Sequence, residues 1–292
     1  MVLSVHHVYK SYGKERVLND ITFEIEKPCI VALIGPNGAG KSTLLSIITN
    51  LLTSDQGSVT VLNKSNKNPE IFREISFMQD NTVLYDYLTG YDHLQFIGDI
   101  QKISKTQILE TAERVGMEKY LHKRVGKYSL GMKQHLLLTM ALVNNPKLLI
   151  LDEPLNGLDP TSAIRVRNLL LDLYKSGTAI LLSSHNLGEI DRVTSRILFL
   201  KNGRLIQEDI SQHEKTYYKL LVDDVKKAKA CLERESFAVK VEQNTLIVHL
   251  AGSPISKLFQ VIEQQNITLL DIEKVVLGSE DRYQMIFGTR VN

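Results

Sequence analysis

The chain of 292 residues contains no tryptophan and only two cysteines, Cys29 and Cys231, far apart in sequence. Two such thiols exclude a disulfide-stapled scaffold and suit a reducing compartment, where both stay free. Long hydrophobic runs are also missing. The longest, Leu136 to Val143, is broken by Thr139 and falls well short of the ~20 apolar residues that cross a bilayer. The first residues, "MVLSVHHVYK", alternate like a strand and lack the layout of a signal peptide. A cytosolic protein is expected. Charge of either sign is in no surplus: 35 Lys+Arg stand against 33 Asp+Glu, and the balance is near neutral on both sides of residue 213. A nucleic-acid partner is therefore not expected. With 43% hydrophobic and 23% charged residues, the composition excludes a disordered chain.

What is present is an alternation of strand and helix signals. A buried strand "CIVALI" leads through a glycine-rich turn into the helix "KSTLLSIITNLL"; "KLLIL" (147–151) precedes a loop and a helix near Ser162–Lys175, and "AILLSS" precedes His185. Apolar strands of this kind, joined by helices, predict an α/β layer fold with a parallel sheet. "ILFLKNGRLI" predicts a hairpin turning at Asn202-Gly203. Between Asp80 and Asn145 the strand signal gives way to helical periodicity, with breaks expected at Gly98 and Gly116. This is a helical insertion spanning about 80–145. After residue 213 the order becomes βαββαβ, that of a small α+β, ferredoxin-like module over 214–292. Its first helix carries "KKAK", the solvated face that short charge runs usually mark.

Three motifs carry chemistry. "GPNGAGKST", that is Gly35, Pro36, Asn37, Gly38, Ala39, Gly40, Lys41, Ser42 and Thr43, fits G-x-x-x-x-G-K-[ST] between a strand and a helix. Its glycines let backbone N–H groups turn toward phosphate oxygens at a helix N-terminus. Lys41 would reach the β- and γ-phosphates and Ser42 would set its hydroxyl on Mg²⁺. "LLILDEP" ends a buried strand on Asp152 and Glu153. An isolated Asp-Glu there is usually a helix cap, but beside a P-loop Asp152 suits Mg²⁺ and Glu153 suits polarising an attacking water. His185, alone, reads as an end-of-strand residue. "SLGMKQ" (129–134) starts a helix with a hydroxyl and a glycine, yet has no acid, base or metal ligand close by in sequence.

The ordered set of P-loop, "SLGMKQ", "LLILDEP", "NGLDP" and "LLSSH" resembles the ATP-binding subunit of ABC transporters over residues 1–213. The variant signature, Tyr128 to Met132, resembles the branch that includes bacitracin and lantibiotic self-protection pumps and sodium or multidrug exporters. The resemblance implies a P-loop NTPase core that hydrolyses ATP with Mg²⁺. It implies that Tyr12 stacks on adenine, that His185 touches the γ-phosphate and that Asp159 contacts the opposite subunit. Two domains would pair head to tail as a homodimer, so that Ser129 and Gly131 close over the nucleotide of the other chain. A helix start is an anion site in itself, which explains why the signature has no acids nearby. The helical insertion would face an integral membrane permease, which places the chain on the cytoplasmic side of the membrane as a peripheral subunit. Export of a peptide antibiotic or toxic compound is the expected direction. Either Gln79 or Asp80 stands at the magnesium-sensing glutamine position, because an ungapped alignment of "ISFMQDNTVLYDYLT" puts Asp80 there. A soluble ABC ATPase without transport, or an ATP-holding regulatory module, are the rival readings.

Overall fold

Uniformly apolar runs flanked by turns build the central strands. In the computed structural model, which describes residues 1–209, 216–242, 244–250, 252–276 and 278–288, every residue of β3 (Ile30–Ile34), β7 (Leu148–Leu151) and β8 (Ala179–Ser183) is buried. Burial on both faces is the condition of a parallel sheet covered on either side. With β6 (Ile75–Met78), β9 (Arg196–Lys201) and β10 (Arg204–Asp209) these strands form a sheet in the order β10-β9-β3-β8-β7-β6. The pairs from β9 through β6 are parallel. Asn202 and Gly203 between β9 and β10 both have positive φ, 51° and 74°, the twist a two-residue hairpin turn requires.

The N-terminal strands do not join that alternation. β1 (Leu3–Tyr12), β2 (Glu15–Ile25), β4 (Gln56–Val61) and β5 (Lys64–Ser65) make a separate antiparallel sheet, ordered β2-β1-β4-β5. Their alternating burial leaves one dry face. Val5, Val8, Ile21 and Phe23 from that face share a core with Leu44, Leu45 and Ile48 of helix α1 (Lys41–Ile48) and with Leu33 and Leu181 of the parallel sheet.

The insertion holds α2 (Gly90–Gln101), α3 (Lys105–Val115) and α4 (Leu130–Leu142). Each starts on a side-chain cap: Thr89 in a reciprocal box with Asp92, Ser104 on the Gln107 N–H, and Ser129 on the Met132 N–H. Gly116 ends α3 with φ 91°, as a glycine C-cap does. Gly98 does not break a helix as expected from the sequence. It is buried inside α2, where an added Cβ would meet Ile108 Cδ1 of α3 at 2.7 Å. Close helix packing, not a turn, requires that glycine. Beyond the insertion, α5 (Pro160–Lys175) is capped by Asp159 and α6 (Leu187–Ile190) follows β8.

The chain divides into two compact units, Met1–Glu208 and Asp209–Asn292; the boundary expected at 213 lies outside the described residues. In the second unit β11 (Thr216–Val222), α7 (Val225–Arg234), β12 (Ala238–Glu242), β13 (Thr245–His249), α8 (Ile255–Gln264) and β14 (Leu269–Val276) follow in βαββαβ order. The antiparallel sheet runs β12-β13-β11-β14, which interleaves the two halves. A further helix, α9 (Ser279–Phe287), was not legible in the sequence pattern. Lys226 and Lys227 of "KKAK" are exposed while Ala228 between them and Lys229 is buried, so the charge run is a solvated face.

This unit has its own core, with Leu220, Leu246, Val248 and Leu258 fully buried. Leu246→Ala should therefore lower the melting of the second unit by about 2–5 kcal/mol, the usual cost of such a cavity. Calorimetry of the full chain should show the first unit's transition unmoved; a common shift of both would mean that the two cores melt as one.

Candidate nucleotide-binding site

The P-loop leaves β3 and enters α1, and its backbone explains its glycines. Gly38 and Gly40 have φ of 79° and 101°, and a Cβ on Gly40 would stand 2.7 Å from Val17 Cγ1. Gly35 lies against the Leu200 carbonyl, 2.8 Å from where its Cβ would be. The Lys41 ammonium, although buried, donates to the carbonyls of Gly35 (2.8 Å) and Pro36 (3.3 Å). It is thereby folded back over the loop that precedes it. No acidic side chain occupies the first turn of α1, so no carboxylate of the helix itself offsets its positive end.

A cavity of about 570 Å³ opens here, lined by Tyr12, Asn37, Gly38, Gly40, Lys41, Ser42, Thr43, Asp80, Asp152 and Glu153, together with Glu15, Val17 and Asn156. Gly35, Pro36 and Ala39 shape the loop without lining the cavity. Tyr12, at the end of β1, is 51% exposed, which leaves a ring face free to stack.

The two carboxylates sit at the end of β7, held from β8. Asp152 Oδ1 accepts from Ser183 Oγ at 2.5 Å, and Ser183 Oγ accepts from the Glu153 N–H at 2.9 Å. Glu153 has φ 51°, a left-handed conformation that costs about 1–2 kcal/mol for a residue with a Cβ. Its peptide is fixed on the other side too: Gln134 Nε2 of α4 donates to the Glu153 carbonyl at 2.9 Å. An ionised carboxylate only accepts, so His185 donates through Nδ1 to Glu153 Oε2 at 2.8 Å and through its backbone N–H at 3.3 Å. His185 and Glu153 are thus one unit in this conformation.

Ser183, Gln134, Glu15 and Asn156 were not singled out from the sequence. Ser183 stood in the quoted "LLSSH", where a small hydroxyl at the end of an apolar strand was the available signal. Gln134 stood within "SLGMKQ", but nothing in its sequence neighbourhood pointed to Glu153.

The two candidates for the glutamine position line different cavities. Asp80 lines the P-loop cavity, whereas Gln79 lines a different groove with Phe72, Phe77, Val83, Ile97 and Met140. Asp80 caps the turn Asn81–Val83 by accepting from Thr82, which fixes its carboxylate near the cavity. Ser129, Gly131 and Asp159 line a third cavity, of about 360 Å³, with Gly116, Tyr120, His135 and Arg165. Within one chain the signature and the P-loop therefore belong to separate cavities. Ser129 Oγ caps α4 at 3.2 Å, and Asp159, accepting from Ser162 Oγ and from the N–H groups of Thr161 and Ser162, has a carboxyl held below its ordinary range, mainly by the Ser162 hydroxyl. Tyr128, just before the signature, donates to the Tyr120 carbonyl; burial pushes its phenol up to about 12.

A family model described as ABC transporter matches residues 18–156. The lantibiotic transport ATP-binding protein SrtF of Streptococcus pyogenes is 37% identical over 207 residues, covering 71% of this chain and 90% of that protein. The chain belongs to the ABC transporter ATP-binding family. An uncharacterized ABC transporter ATP-binding protein of Bacillus subtilis, YdbJ, is 30% identical and covers 97% of this chain and 94% of its own length. The bacitracin transport ATP-binding protein BcrA of Enterococcus faecalis is 29% identical, with coverages of 98% and 96%. A shorter match, over residues 124–191, is to a model described as AAA domain, putative AbiEii toxin, Type IV TA system. Among solved structures, an ATP-binding subunit of an ABC transporter superposes with a TM-score of 0.67 at 24% identity, covering 90% of this chain and all of its own. The dimeric cassette MJ0796, bound to ADP and Pi, superposes with a TM-score of 0.66 at 24% identity, covering 71% and 98%. These likenesses establish the fold of an ABC ATPase cassette.

For this ABC ATPase cassette, Asp80→Ala should raise the Mg²⁺ concentration that gives half-maximal ATPase activity, and Gln79→Ala should leave it unchanged. Magnesium titrations of the two variants check this; the reverse order would return the position to Gln79.

Proposed function

We propose that the chain binds and hydrolyses ATP with Mg²⁺ as a homodimer and energises a separate membrane permease that exports an antimicrobial peptide, drug or other toxic compound. The observation that carries the ATPase reading is the convergence of Lys41, Ser42, Asp152 and Glu153 on one cavity. Lys41 and a glycine-rich loop leading into a helix N-terminus suit a triphosphate. Ser42 and Asp152 are hard oxygen donors of the kind Mg²⁺ takes, and Asp80 is close by. Among the described residues no group of three or more His, Cys, Asp or Glu could hold a metal by itself. A Mg²⁺ here would share its oxygen shell with phosphates and water, which is how that ion is usually held; it would spread the negative charge of the phosphates. Glu153 would take a proton from the attacking water, and His185, now donating to Glu153, has a ring within reach of the same region.

The dimer reading is supported by the separation of Ser129, Gly131 and Asp159 from the P-loop. A helix N-terminus with an exposed serine suits an anion, and in this reading another chain's nucleotide would supply it. The permease reading is supported by the groove lined by Phe72, Phe77, Val83, Ile97 and Met140, and by exposed Phe96 and Ile100 on the same helix as Ile97. Among the described residues no helix is long and apolar enough to cross a membrane, so a spanning partner must carry the cargo. The antibiotic direction is supported by the lantibiotic and bacitracin names of two relatives. The location that follows is peripheral, on the cytoplasmic face.

Glu153→Gln should retain ATP binding while slowing hydrolysis on the order of 10²–10⁴-fold, the worth of a positioned general base, and should accumulate an ATP-bound dimer in gel filtration. Turnover near the native rate would remove Glu153 from the role. Mixed dimers test the head-to-tail pairing. Lys41→Ala and Ser129→Arg on one chain, paired with a native chain, spoil both composite sites. Divided between the two chains, they leave one site intact. A fluorescent ATP analogue should be occluded only by the divided pair; equal occlusion would mean that the signature serves its own chain.

A further inference from the structure

The strained Glu153 backbone is held on both sides, and its two side-chain holders come from different parts of the fold. Its N–H is tied to Ser183 of β8, inside the sheet that also carries Asp152. Its carbonyl accepts from the Asn156 N–H of its own loop at 3.2 Å and, from outside that loop, from Gln134, which lies in the helical insertion, one turn into the signature helix α4. Gln134 is buried at 8% exposure, which strengthens the bond relative to one in water. The same helix touches the same loop a second time. A Cβ on Gly157 (φ 73°) would overlap Leu130, and a Cβ on Gly131 would stand 3.5 Å from the Gly157 carbonyl. The first turn of α4 and the loop 153–157 are therefore fixed to each other at two points, Leu130 on Gly157 and Gln134 on Glu153.

We infer that Gln134 is a positioning residue for hydrolysis: by donating to the Glu153 carbonyl it holds that residue in the left-handed conformation that aims its carboxylate at the P-loop cavity. Rotation of one peptide about a residue with positive φ swings its side chain, so a lost carbonyl bond moves the carboxylate rather than the fold. Through this bond the signature helix sets the carboxylate of its own chain, although Ser129 at its start faces away from that chain's P-loop. A shift of α4 that lengthened the bond would lower hydrolysis without touching nucleotide contacts. The inference rests on the reading of Glu153 as the residue that activates water.

The test uses the full chain. Gln134→Met and Gln134→Leu keep most of the side-chain volume and remove the donor. Gln134→His restores a donor, Nε2, the same number of bonds from Cα. Both donor-less variants should lose turnover by ~10- to 100-fold, the scale of a misplaced catalytic group. Their affinity for a fluorescent ATP analogue should stay within about twofold of native, as expected when only transition-state stabilisation is lost. Gln134→His should recover most of the loss. Having two donor-less variants means that one which folds poorly, as seen in its melting curve, does not remove the test. Glu153→Gln is measured alongside. If it is slow while either folded donor-less variant turns over at the native rate, the inference alone is overturned. If the donor-less variants lose affinity as much as turnover, or Gln134→His is as slow as Gln134→Met, the donor is not what matters and the inference is likewise overturned. If Glu153→Gln itself turns over normally, the reading beneath the inference has failed instead.

Discussion

Burial of β3, β7 and β8 on both faces constrains everything else in the first unit. Strands without a wet face pair only with strands like themselves, and joining them through helices makes them parallel. Parallel strands end at one edge of the sheet, so the loops that follow them meet there. The P-loop after β3, Asp152 and Glu153 after β7, and Ser183 and His185 at the end of β8 lie far apart in sequence and become neighbours for this reason alone. The bonds from Ser183 to Asp152 and from the Glu153 N–H to Ser183 are direct consequences of β7 and β8 pairing in parallel.

Two helix starts supply the electrostatic part. Both α1 and α4 lack acidic residues in their first turns, and both begin with small or hydroxyl residues. Unpaired N–H groups at such ends favour anions. What distinguishes them is surroundings. The start of α1 opens onto Asp152 and Glu153, whereas the start of α4 opens onto Asp159 and Arg165. The first cavity holds the carboxylates proposed for hydrolysis, and the second holds the signature serine. The proposed pairing of two chains would let each supply what the other lacks.

The second unit obeys different physics. Its strands alternate, its helices α7 and α8 each bury a narrow stripe, and its core is assembled from residues after 216 alone. No nucleotide motif lies in it. A module with an independent core can be attached to an ATPase without disturbing the edge where the chemistry sits.

Much was legible in the sequence because local pattern and function coincide there. The P-loop needs glycines at Gly38 and Gly40 whatever surrounds it, since positive φ excludes a Cβ at little cost only for glycine. "LLILDEP" announces a buried strand with two acids at its end, and the βαββαβ order of the second unit follows from periodicity. Other features depended on contacts that no local pattern encodes. Gly98 reads as a break in sequence, but the approach of Ile108 makes it a packing residue within a helix. The sheet β2-β1-β4-β5 separates from the parallel one because only tertiary packing says which side of an alternating strand stays dry. Gln79 and Asp80 can each offer an oxygen and are adjacent in sequence, and only the folded chain sets Asp80 on the P-loop cavity and Gln79 on another groove. Gln134 and Glu153 lie in different layers of the unit, and their hydrogen bond exists because the fold lays the signature helix against the end of β7. Sequence determines which groups can do chemistry, since that is a property of side chains and of backbone freedom. Which of those groups meet is a property of packing, and only the folded chain decides it.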